Sequence, residues 1–186
     1  MEIDHGTHRT HHYRRRTCIH QGHLGGDQRQ AWRVPNLLAT LGKSPAAINS
    51  YVKQGEAIGT GTLGPKVAES LALAIANFSK CGYCASAHNA IGKMVGVSDE
   101  ERELNRNGKS SDPKTQAAIN LARAIVGGRG FISDEVFTVS REHLNESEIL
   151  EVITITTFNL FTNYMNHAIE TENDFPEVEL VASAAV

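Results

Sequence analysis

No apolar run in this chain of 186 residues comes near the ~18 residues that cross a bilayer, and the longest, Leu71 to Phe78, is already interrupted by Asn77. No membrane span is expected. Nor does an apolar segment follow the basic Arg14-Arg15-Arg16, so no secretory signal is read and the cytoplasm is the default compartment. Cysteine is scarce: Cys18, Cys81 and Cys84 are too few and too unevenly spaced for a secreted disulfide framework. In a reducing compartment, a close pair such as Cys81 and Cys84 points instead to catalysis or metal binding. Strand-type alternation is almost absent. What is present, 40% apolar and 21% charged residues in a length typical of one domain, fits a globular protein.

Charge is divided unevenly. Residues 1–33 carry Arg9, Arg14, Arg15, Arg16, Arg29 and Arg33 against Glu2, Asp4 and Asp27, a net of +3, within a total of −3. The same leader holds His5, His8, His11, His12, His20 and His23 and few large apolar residues, so it cannot bury enough surface to offset its ordering entropy. Residues 1–31 are therefore read as a disordered or artefactual extension, and 32–186 as the folded domain. The leader's composition would suit metal scavenging or nucleic-acid contact, but a flexible tail accounts for it without either, and no nucleic-acid partner is expected. Cys18, in this tail, reads as an ordinary thiol.

From Pro35 onward the punctuation is that of consecutive helices, each opened by a capping residue or a proline and closed near glycine. The expected helices run over 35–41, 45–58, 65–79, 82–95, 98–107, 113–127, 133–143 and 145–170, an all-α fold. Ser98 and Glu101 have the spacing of a capping box. In the last segment the β-branched run Val152 to Thr157 would suit a strand, but some two dozen residues without a turn signal are too many for one. A loose repeat at an offset of 82, with Val67 on Ile149, Glu69 on Glu151, Leu71 on Ile153, Leu73 on Ile155 and Asn77 on Asn159, suggests two related helical units.

The chemistry-bearing residues gather around Cys81-Gly82-Tyr83-Cys84, followed by His88. If a helix starts at Cys81, positions 84 and 88 share a face one turn apart, which sets an imidazole beside a thiol near a helix N-terminus; both favour the thiolate. Cys81, at the helix boundary, sits where the backbone is free to bring two sulfurs together, as thiol–disulfide exchange requires. Glu69 shares its helical face with Ala72, Leu73 and Ala76, and a carboxylate on such a surface needs a partner. His88 is within reach if the two helices fold back at residues 79–82, which would complete a nucleophile–base–orienter set. Three other readings stand beside this one. Cys81, Cys84, His88 and Glu69 could hold zinc, although structural zinc sites usually draw a second close cysteine pair. A thioredoxin-like motif would follow a β-strand, which the Ala/Leu-rich segment before it does not suit. Two buried cysteines and a core histidine could also simply pack.

Glu69 with Cys81-Gly-Tyr-Cys84-Ala-Ser-Ala-His88 resembles the E-x11-C-x-x-C-x-x-x-H signature of the alkyl hydroperoxidase AhpD-like branch of the carboxymuconolactone decarboxylase superfamily. The resemblance spans about Val34 to Glu179, including Thr162 to His167 and Asp174-Phe175-Pro176. It implies an all-helical bundle assembled as a homo-oligomer, commonly a trimer or hexamer, and a cofactor-free thiol peroxidase. Carried over by position, Cys84 would be the peroxidatic thiol, Cys81 the resolving thiol, His88 the base and Glu69 the residue completing the proton relay. The substrate would be an organic hydroperoxide and the electron donor a lipoylated or thioredoxin-like thiol protein. The AhpD type has histidine where this chain has Tyr83, a departure at the relay itself. The decarboxylase branch lacks the cysteine pair, which argues against lactone chemistry here. Asn166 and His167 are read as polar contacts at a subunit interface in preference to pocket residues, and Phe161 and Tyr164 as core or interface aromatics.

Overall fold

The computed structural model describes residues 34–181; the expectations for residues 1–31, Cys18 included, lie outside them. Eight helices and no strand occur among the described residues: α1 Asn36–Leu41, α2 Pro45–Ile58, α3 Gly64–Phe78, α4 Gly82–Met94, α5 Asp99–Arg106, α6 Pro113–Gly127, α7 Asp134–Arg141 and α8 Glu146–Ala168. Each boundary falls within two residues of the sequence expectation. The starts are set by side-chain oxygens that satisfy free amides of the first turn: Ser44, Ser98, Asp112, Ser133 and Asn145 each accept a backbone N–H three residues on.

One cap differs from its sequence reading. Ser98 Oγ accepts the Glu101 N–H as expected, but the Glu101 carboxylate does not reach back to the serine amide. It accepts the hydroxyls of Ser110 and Ser111 at 2.5 and 2.6 Å instead, and the Ser111 N–H as well, tying the α5–α6 loop to α5. Three donors from that loop outcompete one cap amide. The full capping box lies at α8, where Asn145 and Glu148 exchange two bonds of 3.0 Å.

α3 is the central rod, packed against α4, α5, α6 and α8. Its sequence explains this: Ser70 to Asn77 is buried at every position, and a helix that is apolar all round must be covered all round. Leu71 and Ile75 join Ile119 and Leu121 of α6 and Ile149, Val152 and Ile155 of α8 in one core cluster. Fully burying each such side chain contributes about 1.5–3 kcal/mol. α8 keeps its β-branched run helical because Val152 and Ile155 are buried in the core against α3 and α6, while the hydroxyls of Thr154, Thr156 and Thr157 donate to carbonyls four residues back, at 2.8, 2.7 and 3.1 Å. α3 and α8, the helices paired by the loose repeat, pack on each other.

A second apolar cluster combines Leu37 and Leu41 of α1 with Ala76, Cys81, Tyr83, Cys84 and Ala85. It is closed by the non-helical segment after α8. There Asn173 Nδ2 and the Val178 N–H both donate to Ser86 Oγ, at 3.1 and 3.3 Å, and Asn77 pairs with both backbone groups of Val181. The helix carrying the cysteine pair is thus held by α1 on one side and this strap on another.

Candidate active site

The turn between α3 and α4 positions the thiols. After Ser79 the chain places Lys80 at φ 55°, the Lys80 N–H donates to the Asn77 carbonyl at 3.1 Å and the Cys81 N–H to the Ala76 carbonyl at 2.9 Å. This is the Schellman end of α3 with lysine at the position that glycine usually takes. Its effect is to turn the next residue inward: Cys81 is 1% exposed and becomes the N-cap of α4, its Sγ accepting the Cys84 N–H at 3.3 Å. A sulfur in place of the usual cap oxygen sits at the positive end of the helix, which favours negative charge. Cys81 and Cys84 are joined as a disulfide, with Cα atoms 5.3 Å apart.

One turn beyond Cys84, His88 leaves the apolar cluster for the α3 side. Its Nδ1 lies 2.8 Å from Glu69 Oε2, and the two side chains are only about one-fifth exposed, at 20% and 18%. The carboxylate orients the ring with Nδ1 as the hydrogen-bonded nitrogen, which leaves Nε2 as the free proton acceptor. Tyr51 of α2 stands close by: burial raises the pKa of its phenol, and the charge of Glu69 raises it further. Tyr51 therefore adds a neutral wall beside the acid.

Tyr83, between the cysteines, is turned away from this pair. Its hydroxyl accepts the Leu37 N–H at 3.2 Å, and its ring meets Phe175 edge-on at 5.6 Å. Burial pushes its pKa to about 12; the Leu37 bond works against this, and the neighbouring Asp174 carboxylate, which also hydrogen-bonds the phenol, adds to it. Asp174 in turn accepts the Asn36 N–H at the start of α1, at 3.0 Å. Tyr83 thereby anchors the cysteine loop to α1 and to the strap.

Asn166 is where the structure departs from the sequence reading. It does not sit at a surface awaiting a partner subunit: it is 4% exposed, and its Nδ2 donates to Cys84 Sγ at 3.2 Å. α8 is long enough to bring its last turns over the start of α4, a pairing that no local pattern reveals. The available signal was Asn159, Asn163 and Asn166 recurring at helical spacing on a face that is otherwise buried. His167, exposed, lines an open cleft of about 270 Å³ together with Cys81, Gly82, Asn166, Glu170 and Thr171. Phe161 is half-buried, and Tyr164, 62% exposed, is no core aromatic. No three His, Cys, Asp or Glu side chains among the described residues are disposed to hold a metal ion.

These features define a class of all-helical protein in which a thiol pair opens one helix and an acid–imidazole pair bridges to the helix before it. Residues 45–124 match the carboxymuconolactone decarboxylase family, the one that the sequence resembles. Solved structures share the fold. An uncharacterized peroxidase-related protein from Silicibacter sp. TM1040 superposes with a TM-score of 0.70 at 20% identity, covering 78% of this chain and 79% of its own. A second such protein, an alkylhydroperoxidase AhpD core from Ralstonia eutropha JMP134, gives 0.69 at 22% identity, with 79% and 80% covered. The debrominase Bmp8, solved as a cysteine-to-alanine variant in complex with 2,3,4-tribromopyrrole, gives 0.68 at 19%, with 76% and 78% covered. None of the curated proteins matches the chain.

Proposed function

We propose that the protein is a thiol-dependent peroxidase that reduces organic hydroperoxides to alcohols, with Cys84 as the attacking thiol, Cys81 as the resolving thiol, His88 as the base and Glu69 as its orienter. The observation that carries this reading is the joining of Cys81 and Cys84 at the start of α4, one turn from an imidazole already held by a carboxylate. His88 Nε2 takes the Cys84 proton. The thiolate attacks the terminal peroxide oxygen, an S–O bond forms, the O–O bond breaks, and the departing alkoxide receives the proton as alcohol. Cys81 thiolate then attacks the Cys84 sulfenic acid, forming the disulfide and releasing hydroxide, which leaves as water with the Cys81 proton. An external thiol donor restores both thiols and is itself oxidised to a disulfide. The cleft borders Cys81, so the donor, a lipoylated or thioredoxin-like protein, is assigned to that sulfur.

The test is consumption of cumene hydroperoxide with a dithiol as electron donor. Wild-type protein is expected to turn over. Cys84→Ser should lose activity, and Cys81→Ser should stop after one equivalent with a sulfenic acid trapped by dimedone at Cys84. Undiminished turnover in Cys84→Ser, or a dimedone adduct formed at Cys81 in that variant, overturns the assignment. A second reading is general thiol–disulfide exchange, favoured by the cleft opening beside Cys81; it predicts reduction of a model disulfide without peroxide consumption. Because the same fold houses a debrominase, a brominated pyrrole belongs among the substrates assayed. We further assign the chain to the cytoplasm and to a homo-oligomer, with residues 1–31 dispensable for catalysis.

A further inference from the structure

Four buried polar residues of α8 spend their donors in two different ways, while Asn163 Nδ2 has no partner. Thr156 Oγ1, Asn159 Nδ2 and Thr162 Oγ1 turn back onto carbonyls of their own helix, at 2.7, 2.9 and 2.9 Å. Asn166 Nδ2 alone among these crosses to another helix, and what it meets is the sulfur of Cys84. A carboxamide N–H bonds an anion far more strongly than a neutral thiol, so a donor fixed at this point favours the ionised form of the sulfur. The Cys84 N–H is itself given to Cys81 Sγ, at 3.3 Å. His88 can remove the proton but, once protonated, is held toward Glu69. A separate group is needed to hold the charge that remains.

We infer that Asn166 is a further residue of the reaction: its amide N–H holds the Cys84 thiolate, both before attack on the oxidant and when Cys84 departs from the disulfide. The inference rests on the reading of Cys84 as the reacting thiol. In the return step an incoming thiolate forms a bond to Cys81 Sγ, the Sγ–Sγ bond breaks, and its electron pair leaves on Cys84 Sγ, where the Asn166 N–H receives it. The second thiol of a dithiol donor then displaces Cys81, and the donor ends as its own disulfide. Asn166 moves no proton in either direction. Its loss therefore shifts the ionisation of Cys84 without removing the base.

The measurement is the pH dependence of alkylation by iodoacetamide in the full chain carrying Cys81→Ser, with Cys84 followed by tryptic mass mapping. Asn166→Ala is expected to move the midpoint up by about one pH unit, a tenfold weaker ionisation. Asn166→Asp, nearly the same in shape, should move it further, because a carboxylate opposes the thiolate. Thr162→Val, which alters the same stripe without touching the sulfur, should leave it in place. Should Asn166→Ala fail to fold by circular dichroism, Asn166→Asp carries the same reading. An unchanged midpoint in the Asn166 variants overturns the inference, and so does a lowered one, which would mean that the carboxamide oxygen faces the thiol hydrogen. If Cys84 titrates as an ordinary thiol before any change at Asn166, it is the reading of Cys84 itself that fails.

Discussion

His88 presents Nδ1 to Glu69, and every expectation about proton transfer follows from that one bond. His88→Gln removes the proposed base and should lower kcat/KM for a hydroperoxide by about 10²–10⁴-fold, while leaving the disulfide able to form in air. Glu69→Gln keeps a hydrogen-bonding side chain but removes the charge that steadies the imidazolium. A smaller loss than that of His88→Gln is expected. Equal activity of wild type and His88→Gln across pH 5–9 would contradict the role given to the imidazole. Tyr83 allows a prediction about the scaffold. Its folded pKa is raised to about 12 from the ordinary 10.0, chiefly by burial. Below pH 10 folded and unfolded chains both hold the phenol proton, whereas between pH 10 and 12 only the unfolded chain releases it. The stability that Tyr83 contributes is thus complete below pH 10 and fades as pH climbs toward 12. Tyr83→Phe should remove a tyrosinate that titrates toward pH 12 from the alkaline absorbance curve and flatten the fall in stability over that window.

Among elements, the α3–α4 turn is where helix punctuation brings two cysteines together. The sequence showed a break at residues 79–82 and a thiol on each side of Tyr83 and Gly82; it did not show that Lys80 takes the left-handed conformation that directs Cys81 inward. Lys80→Gly relieves that backbone cost, set against the greater freedom of glycine in the unfolded chain, and should raise stability in urea by about 0.5–1 kcal/mol. A drop in stability would mean that the lysine side chain has a role beyond its backbone. The caps teach a related lesson. Ser98 with Glu101 and Asn145 with Glu148 have the same spacing, yet only the second closes as a box, because the first glutamate finds Ser110 and Ser111 within reach. Spacing states which bonds are possible. The competing donors, nine and ten residues away, decide which of them form.

At the level of the whole molecule, apolar side chains remain on the outside. Leu150 and Tyr164 of α8 are 63% and 62% exposed, on the helix that also supplies Asn166. Light scattering is expected to return a multiple of 20.2 kDa, a trimer or hexamer, and a monomer at micromolar concentration would remove the proposed assembly. A chain beginning at residue 32 is expected to keep the peroxidase rate of the full chain. No helix of the described residues is long and apolar enough to cross a membrane.

How much could be read in advance follows from the range of each interaction. Helix starts and stops depend on residues three or four apart, so Ser44-Pro45, Asp112-Pro113 and Asn145 revealed the eight elements, and an unbroken apolar stretch marked α3 as the buried one. Cys81, Cys84 and His88 are within one or two turns of each other, and the amphipathic position of Glu69 was enough to aim it at His88. Asn166 was assigned to an interface because its partner is 82 residues away. Local periodicity by itself determined the helices, the order in which they occur and the chemical groups they carry. Only packing decided which end of α8 lies over the cysteine loop, since that depends on how long rods settle against α3. The hydrogen bond from Asn166 to the sulfur exists only once they have.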